Sequence, residues 1–294
     1  MRDFCSYCSS TERDLYADNQ PYRDQPQKSI SFYTCSRCGT IYPSPRLDFS
    51  EIREFLNQSD REIDVKNYSG YHIPWYDSSR RIMKRLKKRY SLKTALDIGA
   101  NNGLFCRLLE SVGFSAVGIE PQETLVNLAR SHGLSVCAGT FPDKIPPEIG
   151  ESSFDLISVN EVLYYFPDLK WSLSKIHDLL SDGGILFIKS YNGENDYRRY
   201  FLSFFTRPGD YLQAFPTIST IRFWVEDSGF EVIEVLAYPD DYFSILFEVE
   251  PMKFGIFQRF FNMVYGNIFM KNEEWLNRVD RMIIVAKKKN KPTG

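Results

Sequence analysis

Two acids and two glycines near the middle of the chain have the types and spacing for ligand chemistry. Asp97 lies near the end of a short apolar run, and Gly99 and Gly103 follow just before helix-forming residues. This order is typical of a buried parallel strand, a tight loop and a helix, whose N-terminus offers backbone N–H groups to a polar ligand. Glycines in such a loop let a ligand approach closely. Glu120 ends the next apolar run, where a nucleotide-binding sheet places a carboxylate for two ribose hydroxyls.

Four cysteines form a second constellation, as two C-x-x-C pairs: Cys5 with Cys8, and Cys35 with Cys38. Each pair can place two thiolates on one tight turn, and two such turns complete a tetrahedral zinc site. Disulfides and buried free thiols are the alternatives. No apolar signal segment precedes the first pair, so we expect a reducing compartment, in which zinc is favoured. Because four thiolates leave no position for water, the predicted Zn²⁺ is structural.

The glycine loop does not fit a dinucleotide. The motif G-x-G-x-x-G would need glycine at position 101 and a small residue near 104, where Asn101 and Leu104 stand. Asp97-x-Gly99-x-Asn101-x-Gly103, with Glu120 downstream, instead resembles the first motifs of class I S-adenosylmethionine-dependent methyltransferases. Later segments resemble that family in the same order: 135–141 its third strand and adenine-side loop, 154–163 its fourth strand and following motif, and 179–189 its Gly-Gly turn and fifth strand.

The resemblance implies an α/β fold: a Rossmann-like class I methyltransferase sheet with helices on both faces, preceded by a small zinc-ribbon-like module. We expect the four-cysteine module over 1–46, a helical substrate-side linker or cap over 47–92, and the S-adenosylmethionine-binding domain over 93–294. Aromatic insertions are expected near 191–215 and 250–275. The second cysteine pair resembles that of bacterial methyltransferases that carry such a module, many of which act in sugar, polysaccharide or specialised-metabolite pathways.

The same resemblance assigns the cofactor contacts. Asp97 and the loop around Gly99 would hold the methionine end, and Glu120 would take the ribose hydroxyls in a charge-assisted geometry. Family members often carry an acid after the third strand for the adenine amino group; this chain has Thr140 and Phe141 there. Backbone groups or the Thr140 hydroxyl are then expected to substitute. The full predicted set is Asp97, Gly99, Ala100, Asn101, Gly103, Glu120, Pro121, Thr140, Phe141 and Asn160.

A general base is useful when the methyl acceptor is a hydroxyl or a carbon acid. Many relatives carry a Glu-His pair after the fourth strand, but Tyr164 and Tyr165 stand at the matching positions. The candidates for catalysis are therefore these tyrosines, Glu161, and His72 in an aromatic loop. Solvated or packing roles are the alternatives for each. We expect Asn160 beside the methyl donor and Glu161 as a substrate-binding or loop-ordering group.

Charge and composition limit the partners. The formal net charge is −2 and the sequence pI about 6.0, so no basic field favours nucleic acid. No apolar run is long enough to cross a bilayer, and we expect a cytoplasmic enzyme, monomeric or homodimeric. The leading hypothesis is methylation of a small, polyhydroxylated molecule, such as a sugar, nucleotide-linked sugar, polysaccharide precursor or specialised metabolite. The alternatives are an RNA methyltransferase, which would need clustered Lys and Arg, and a non-catalytic zinc-bearing scaffold.

Overall fold

The structure is a computed structural model, and it describes residues 3–21, 29–46, 50, 74–192, 213–237 and 281–289. Several predictions fall outside these residues. They are the candidate base His72, most of the predicted linker or cap, the greater part of the first aromatic insertion and all of the second. Among the described residues, no helix combines the length and the apolar character that crossing a bilayer requires.

The N-terminal residues form an antiparallel sheet of three strands, β1 (Arg13–Pro21), β2 (Ser29–Cys35) and β3 (Ile41–Ser44), in that spatial order. The other elements follow in chain order: α1 (Pro74–Tyr90), β4 (Thr94–Ile98), α2 (Leu104–Ser111), β5 (Ser115–Glu120), α3 (Glu123–Ser131), β6 (Val136–Ala138), the one-turn helix α4 (Pro147–Gly150), β7 (Phe154–Asn160), a 3₁₀ turn (Leu163–Tyr165), α5 (Leu169–Leu179), β8 (Leu180–Tyr191), α6 (Ile218–Asp227), β9 (Phe230–Ala237) and β10 (Arg281–Lys288).

The larger sheet has seven strands in the order β6-β5-β4-β7-β8-β10-β9. Strands β4 to β8 pair in parallel, whereas β10 is antiparallel to both β8 and β9. From β4 the chain builds outward through β5 to β6, then returns to add β7 on the other side of β4. In open sheets of this kind ligands bind at the carboxyl ends of the strands, beside the point where the order reverses. The crevice between β4 and β7 is that point.

Helices cover both faces of this sheet, as predicted. Successive side chains of a strand point to opposite faces, and β4 shows the result. Ala95 packs in one buried cluster with Met83 of α1 and Leu108 of α2, whereas Leu96 packs in another with Leu173 of α5. Each large apolar side chain buried in these clusters contributes about 1.5–3 kcal/mol. The two cores fix the sheet, and with it the strand ends that carry the polar residues.

The predicted Gly-Gly turn before the fifth parallel strand lies inside β8 rather than before it. Phe154 of β7 pairs with Leu180, but Leu156 pairs with Ile185, so the register shifts across this stretch. Gly183 has a φ of 71° there, a conformation that costs glycine little. The extra residues are absorbed as an irregularity within the strand, because both of its ends pair with β7.

Candidate active site

A cavity of about 420 Å³ opens at the carboxyl ends of β4, β5 and β7. Most predicted site residues line it: Gly99, Asn101, Glu120, Pro121, Thr140, Phe141, Asn160, Glu161, Tyr164 and Tyr165. Asp97, Ala100 and Gly103 do not, and lie behind the lining. The cavity therefore gathers residues from five separate stretches of the chain at the switch point of the sheet.

The two loop glycines are required by backbone angle and by packing. Gly99 and Gly103 have φ values of 75° and 79°, in the left-handed region that other residues adopt at a cost. A Cβ on Gly99 would lie 2.6 Å from Val162 Cγ1, and one on Gly103 would lie 2.7 Å from Leu134 Cδ1. We expected these glycines to let a ligand approach. The close neighbours at both positions are protein side chains, so packing by itself requires glycine there, and the approach of a ligand stays a prediction.

Glu120 presents its carboxylate at the end of β5 with both oxygens anchored. Oε2 accepts a hydrogen bond from the Asn101 N–H at 2.8 Å, and Oε1 accepts one from the Gln122 N–H at 3.1 Å. These backbone donors fix the plane of the carboxylate, and a carboxylate oxygen can accept more than one hydrogen bond. The side chain is buried, yet it lines the cavity.

Asp97 is 1% exposed and reaches the cavity only through a neighbour. Its Oδ1 accepts hydrogen bonds from Ser158 Oγ at 2.7 Å and from Asn160 Nδ2 at 2.9 Å. Burial raises the pKa of Asp97 to about 7; these two bonds oppose the rise, and the charge of Glu120 adds to it. Its carboxylate orients the amide of Asn160, and the expectation that Asp97 also acts on the methionine end of a ligand stays a prediction.

Asn160 Oδ1 and Thr140 Oγ1 are buried acceptors of the lining that have no hydrogen-bond partner among the described residues. Asn160 donates through its nitrogen to Asp97, so its oxygen is the atom left for a ligand. Buried polar groups are nearly always paired in folded proteins. Both atoms therefore fit a polar ligand with donors at two separated positions, as the ammonium and adenine groups of S-adenosylmethionine provide.

Glu161, which also lines the cavity, lies in a charged cluster. This residue follows β7 with a φ of 58°, and its Oε2 accepts a hydrogen bond from Tyr164 Oη at 3.2 Å. Its Oε1 lies 3.7 Å from Lys189 Nζ and 3.3 Å from Arg281 Nε. Burial raises the pKa of Tyr164 well above its usual value, and the charge of Glu161 adds to this. Tyr164 therefore stays protonated and acts as a donor.

The sequence reasoning missed Lys189 and Arg281. Lys189 ends the apolar run Ile185–Ile188 in β8, and its side chain is 8% exposed. A lysine next to such a run was the one available signal, since a buried charge needs a partner. Arg281 comes from β10, which the sheet inserts between β8 and β9. No local pattern indicates that insertion.

Aromatic rings form two parts of the wall. The Tyr164 ring lies 4.7 Å from that of Tyr165 and 5.4 Å from that of Tyr191, measured between centroids. Elsewhere in the lining, the rings of Phe141 and Phe166 are 5.8 Å apart. Such rings provide flat apolar surface, and tyrosine adds a hydroxyl that binds polar groups.

The four N-terminal cysteines lie together: Cys5, Cys8, Cys35 and Cys38. Their sulfur atoms are all within 4.8 Å of one another, and none forms a disulfide. Both pairs make the same turn, in which the residue after the second cysteine donates its N–H to the first cysteine's carbonyl oxygen. That residue is Ser9 in one turn and Gly39 in the other, with φ of 57° and 71°. Four thiolates at about 2.3 Å from a central ion fit this spacing.

Comparisons with known proteins agree with the fold and the cavity. Residues 69–235, more than half of the chain, match the family described as Methyltransferase domain. The ubiquinone biosynthesis O-methyltransferase of Pseudomonas paraeruginosa is 24% identical over 212 residues, which cover 65% of this chain and 86% of that enzyme. The enzyme of the same name from a Chelativorans species is 30% identical over 112 residues, 37% of this chain and 44% of that enzyme.

A solved structure supports the fold. A Thermotoga maritima S-adenosylmethionine-dependent methyltransferase, described as a possible histamine N-methyltransferase, superposes with a TM-score of 0.53 at 19% identity. The match covers 81% of this chain and 100% of that chain. The family match over 69–235 shows that the chain belongs to the methyltransferase-domain family, and the superposition shows that its fold is that of a class I methyltransferase.

Proposed function

We propose that this methyltransferase transfers a methyl group from S-adenosylmethionine to a hydroxyl of a small, ring-bearing molecule. The observation that carries the proposal is a cavity with two unlike parts. The donor side consists of Gly99, Asn101, Glu120, Thr140 and Asn160. The acceptor side consists of Glu161, Tyr164, Tyr165 and Tyr191, with Lys189 and Arg281 behind Glu161.

On the donor side we assign one contact to each polar group. Glu120 takes the two ribose hydroxyls, because its carboxylate is fixed by two backbone N–H groups and lines the cavity. Asn160 Oδ1 accepts from the methionine ammonium and Thr140 Oγ1 from the adenine amino group, since both are buried acceptors in need of donors. Asp97 contributes by orienting Asn160.

On the acceptor side we assign Glu161 to the methyl acceptor. Bound S-adenosylmethionine supplies an electrophilic methyl group, and in-line displacement requires alignment and exclusion of water. In this proposal Glu161 hydrogen-bonds the acceptor hydroxyl and would take its proton as the oxygen–methyl bond forms and the sulfur–methyl bond breaks, with S-adenosylhomocysteine as the leaving group. Tyr164 donates to the same carboxylate and holds it in place. The rings of Tyr165 and Tyr191 bind the face of the acceptor ring.

Two observations support the proposed chemical class of the methyl acceptor. The relatives from Pseudomonas and Chelativorans are named as O-methyltransferases of ubiquinone biosynthesis, which favours an oxygen acceptor on a small molecule. The tyrosine-rich wall fits a flat ring, either a phenol or a sugar, because tyrosine stacks and hydrogen-bonds at once. The sugar-type acceptor stays a prediction, and turnover of a matched panel of phenols and sugars, measured as release of S-adenosylhomocysteine, separates the two.

The test of the donor side is calorimetric titration with S-adenosylmethionine. Glu120→Ala should weaken binding about 100-fold, because two charge-assisted hydrogen bonds are lost. Glu123→Ala is the matched control, since Glu123 is exposed in the first turn of α3 and does not line the cavity. Undiminished binding by Glu120→Ala would refute the ribose role. A wild type that does not bind the cofactor here would refute the whole site.

We also propose that the four cysteines bind one structural Zn²⁺, and that the chain divides into a zinc module over 1–46, a linker or cap over 47–92 and a catalytic domain over 93–294. Metal analysis should find about one ion per chain. The double variant Cys35→Ser/Cys38→Ser should lose it, and Cys137→Ser, outside the cluster, should keep it. A folded wild type free of metal contradicts the proposal.

A further inference from the structure

One wall of the cavity is shared with the four-cysteine module, here the described residues up to Arg46. Phe166 and Pro167 line the cavity, and Leu169 two residues later begins α5. The Leu169 N–H donates to the carbonyl oxygen of Ser6 at 3.2 Å, and Ser6 lies between the first two cysteines. The segment Phe166–Leu169 therefore contacts the cavity on one side and a cysteine turn on the other.

Arg46 makes the second link between these parts. It is 2% exposed, and its Nη1 donates to the carbonyl oxygen of Pro167 at 2.8 Å in a buried hydrogen bond. Its Nε donates to the carbonyl oxygen of Phe4 at 2.9 Å, and the guanidinium lies 5.1 Å from the centre of the Phe4 ring. A buried hydrogen bond from a charged donor is stronger than a neutral one, and leaving the carbonyl without a partner is costly.

The module that carries Arg46 is itself fixed on the larger domain. Trp224 of α6 donates through Nε1 to Thr40 Oγ1 at 2.9 Å. Tyr7, between the first two cysteines, donates to Asp227 Oδ2 at 2.6 Å and stacks on the Trp224 ring. These contacts lie on α6, away from the cavity lining. Arg46 therefore belongs to a module that is fixed on the larger domain, and its guanidinium bonds Pro167 from that fixed position.

The position of Pro167 bears on the cavity because Phe166 precedes it. The Phe166 ring packs 5.8 Å from the ring of Phe141, which the donor-side assignment puts at the adenine end beside Thr140. We propose that Arg46 is a positioning residue for the cofactor pocket: it holds Pro167 so that Phe166 closes the adenine end against Phe141. This inference rests on the proposed binding of S-adenosylmethionine in this cavity.

The experiment measures cofactor affinity and local protection in Arg46→Met, which keeps an unbranched apolar stem but has no donor. Calorimetry should show S-adenosylmethionine binding about tenfold more weakly. The reason is that the charge-assisted hydrogen bond that holds Pro167, and with it this wall of the cavity, is lost. Without cofactor, hydrogen exchange at the Leu169 amide should be about tenfold faster, because its partner Ser6 is no longer held in register. Arg46→Lys restores one donor and should recover part of both effects.

The matched control is Arg13→Met, because Arg13 bonds Asp3 and Ser44 within the module. It should leave both readouts within about twofold of wild type, a difference below one routine hydrogen bond. A purely structural Arg46 would lower the unfolding midpoint but leave affinity and Leu169 exchange unchanged at temperatures well below it, and that result overturns the inference. Failure of the wild type to bind the cofactor would instead refute the proposed function, while the exchange data still report on the Arg46 contact.

Discussion

The donor and acceptor sides of the cavity are built in different ways. The donor side takes its residues from the ends of consecutive parallel strands. Its carboxylate, that of Glu120, is held in place by backbone N–H donors. The acceptor side relies on side chains from distant parts of the chain. Glu161 of the β7 loop meets Lys189 of β8 and Arg281 of β10.

The difference indicates which side is constrained by cofactor and which is free to vary. A site made of backbone and short side chains suits one unchanging ligand, because its geometry follows from the fold itself. A site made of long paired side chains can change with a few substitutions while the sheet stays the same. We infer that the donor side defines the family and the acceptor side defines the substrate. Three variants test this division, in order of their expected effect on cofactor affinity.

Asn160→Ala should have the largest effect of the three, because Asn160 Oδ1 is the buried acceptor assigned to the methionine ammonium. Calorimetry should show S-adenosylmethionine binding about thirtyfold more weakly, as expected for a lost hydrogen bond to a charged group. Ser158→Ala is the control: Ser158 also donates to Asp97 but does not line the cavity. If both variants lose affinity equally, Asn160 acts only through Asp97, and the proposed contact between Asn160 Oδ1 and the methionine ammonium is wrong.

The pH dependence of cofactor binding should reveal Asp97, whose pKa burial raises to about 7. The methionine ammonium favours the ionised carboxylate, so affinity should rise with pH through about 7 and be about tenfold weaker at pH 6 than at pH 8. Asp97→Asn should give a flat profile by calorimetry. A profile that is equally steep in that variant would assign the titration to another group.

The same raised pKa makes a separate prediction of opposite sign for the cofactor-free protein. A carboxyl whose folded pKa exceeds its unfolded value contributes stability that is fully present below about pH 4 and is lost as pH rises through about 7. Denaturation of the cofactor-free protein across this range should therefore show the Asp97 contribution falling while cofactor affinity increases.

Glu161→Gln should have the smallest effect on cofactor affinity, less than about threefold, because Glu161 is assigned to the acceptor. It should cost stability instead, about 2 kcal/mol by chemical denaturation, since Lys189 is left buried near a neutral group. Glu234→Gln is the control: Glu234 pairs with Arg85 near the surface, a pair worth less than about 1 kcal/mol. A large loss of cofactor affinity in Glu161→Gln would contradict the proposal that the cavity has separate donor and acceptor sides.

The sequence predicted the fold and most of the residues that line the cavity, because those signals are local. The order of strand, glycine loop and helix around Gly99, and the acid Glu120 at the next strand end, are contiguous patterns. The C-x-x-C spacing likewise predicted that four cysteines meet. The sequence did not reveal why each residue stands where it does: Gly103 is a glycine because Leu134 leaves no room for a Cβ. Asp97 was expected in the site and lies behind it.

By itself, then, the amino-acid sequence determined that the chain forms a Rossmann-like sheet, that its switch point carries polar strand ends, and that a four-cysteine cluster precedes it. Hydrophobic period, glycine positions and ligand spacing encode these features within short windows. Only the tertiary structure decided that Arg281 reaches Glu161 and that Arg46 reaches Pro167. Those contacts join residues more than a hundred positions apart, and such pairings depend on how the whole sheet and the module pack, which no local pattern records.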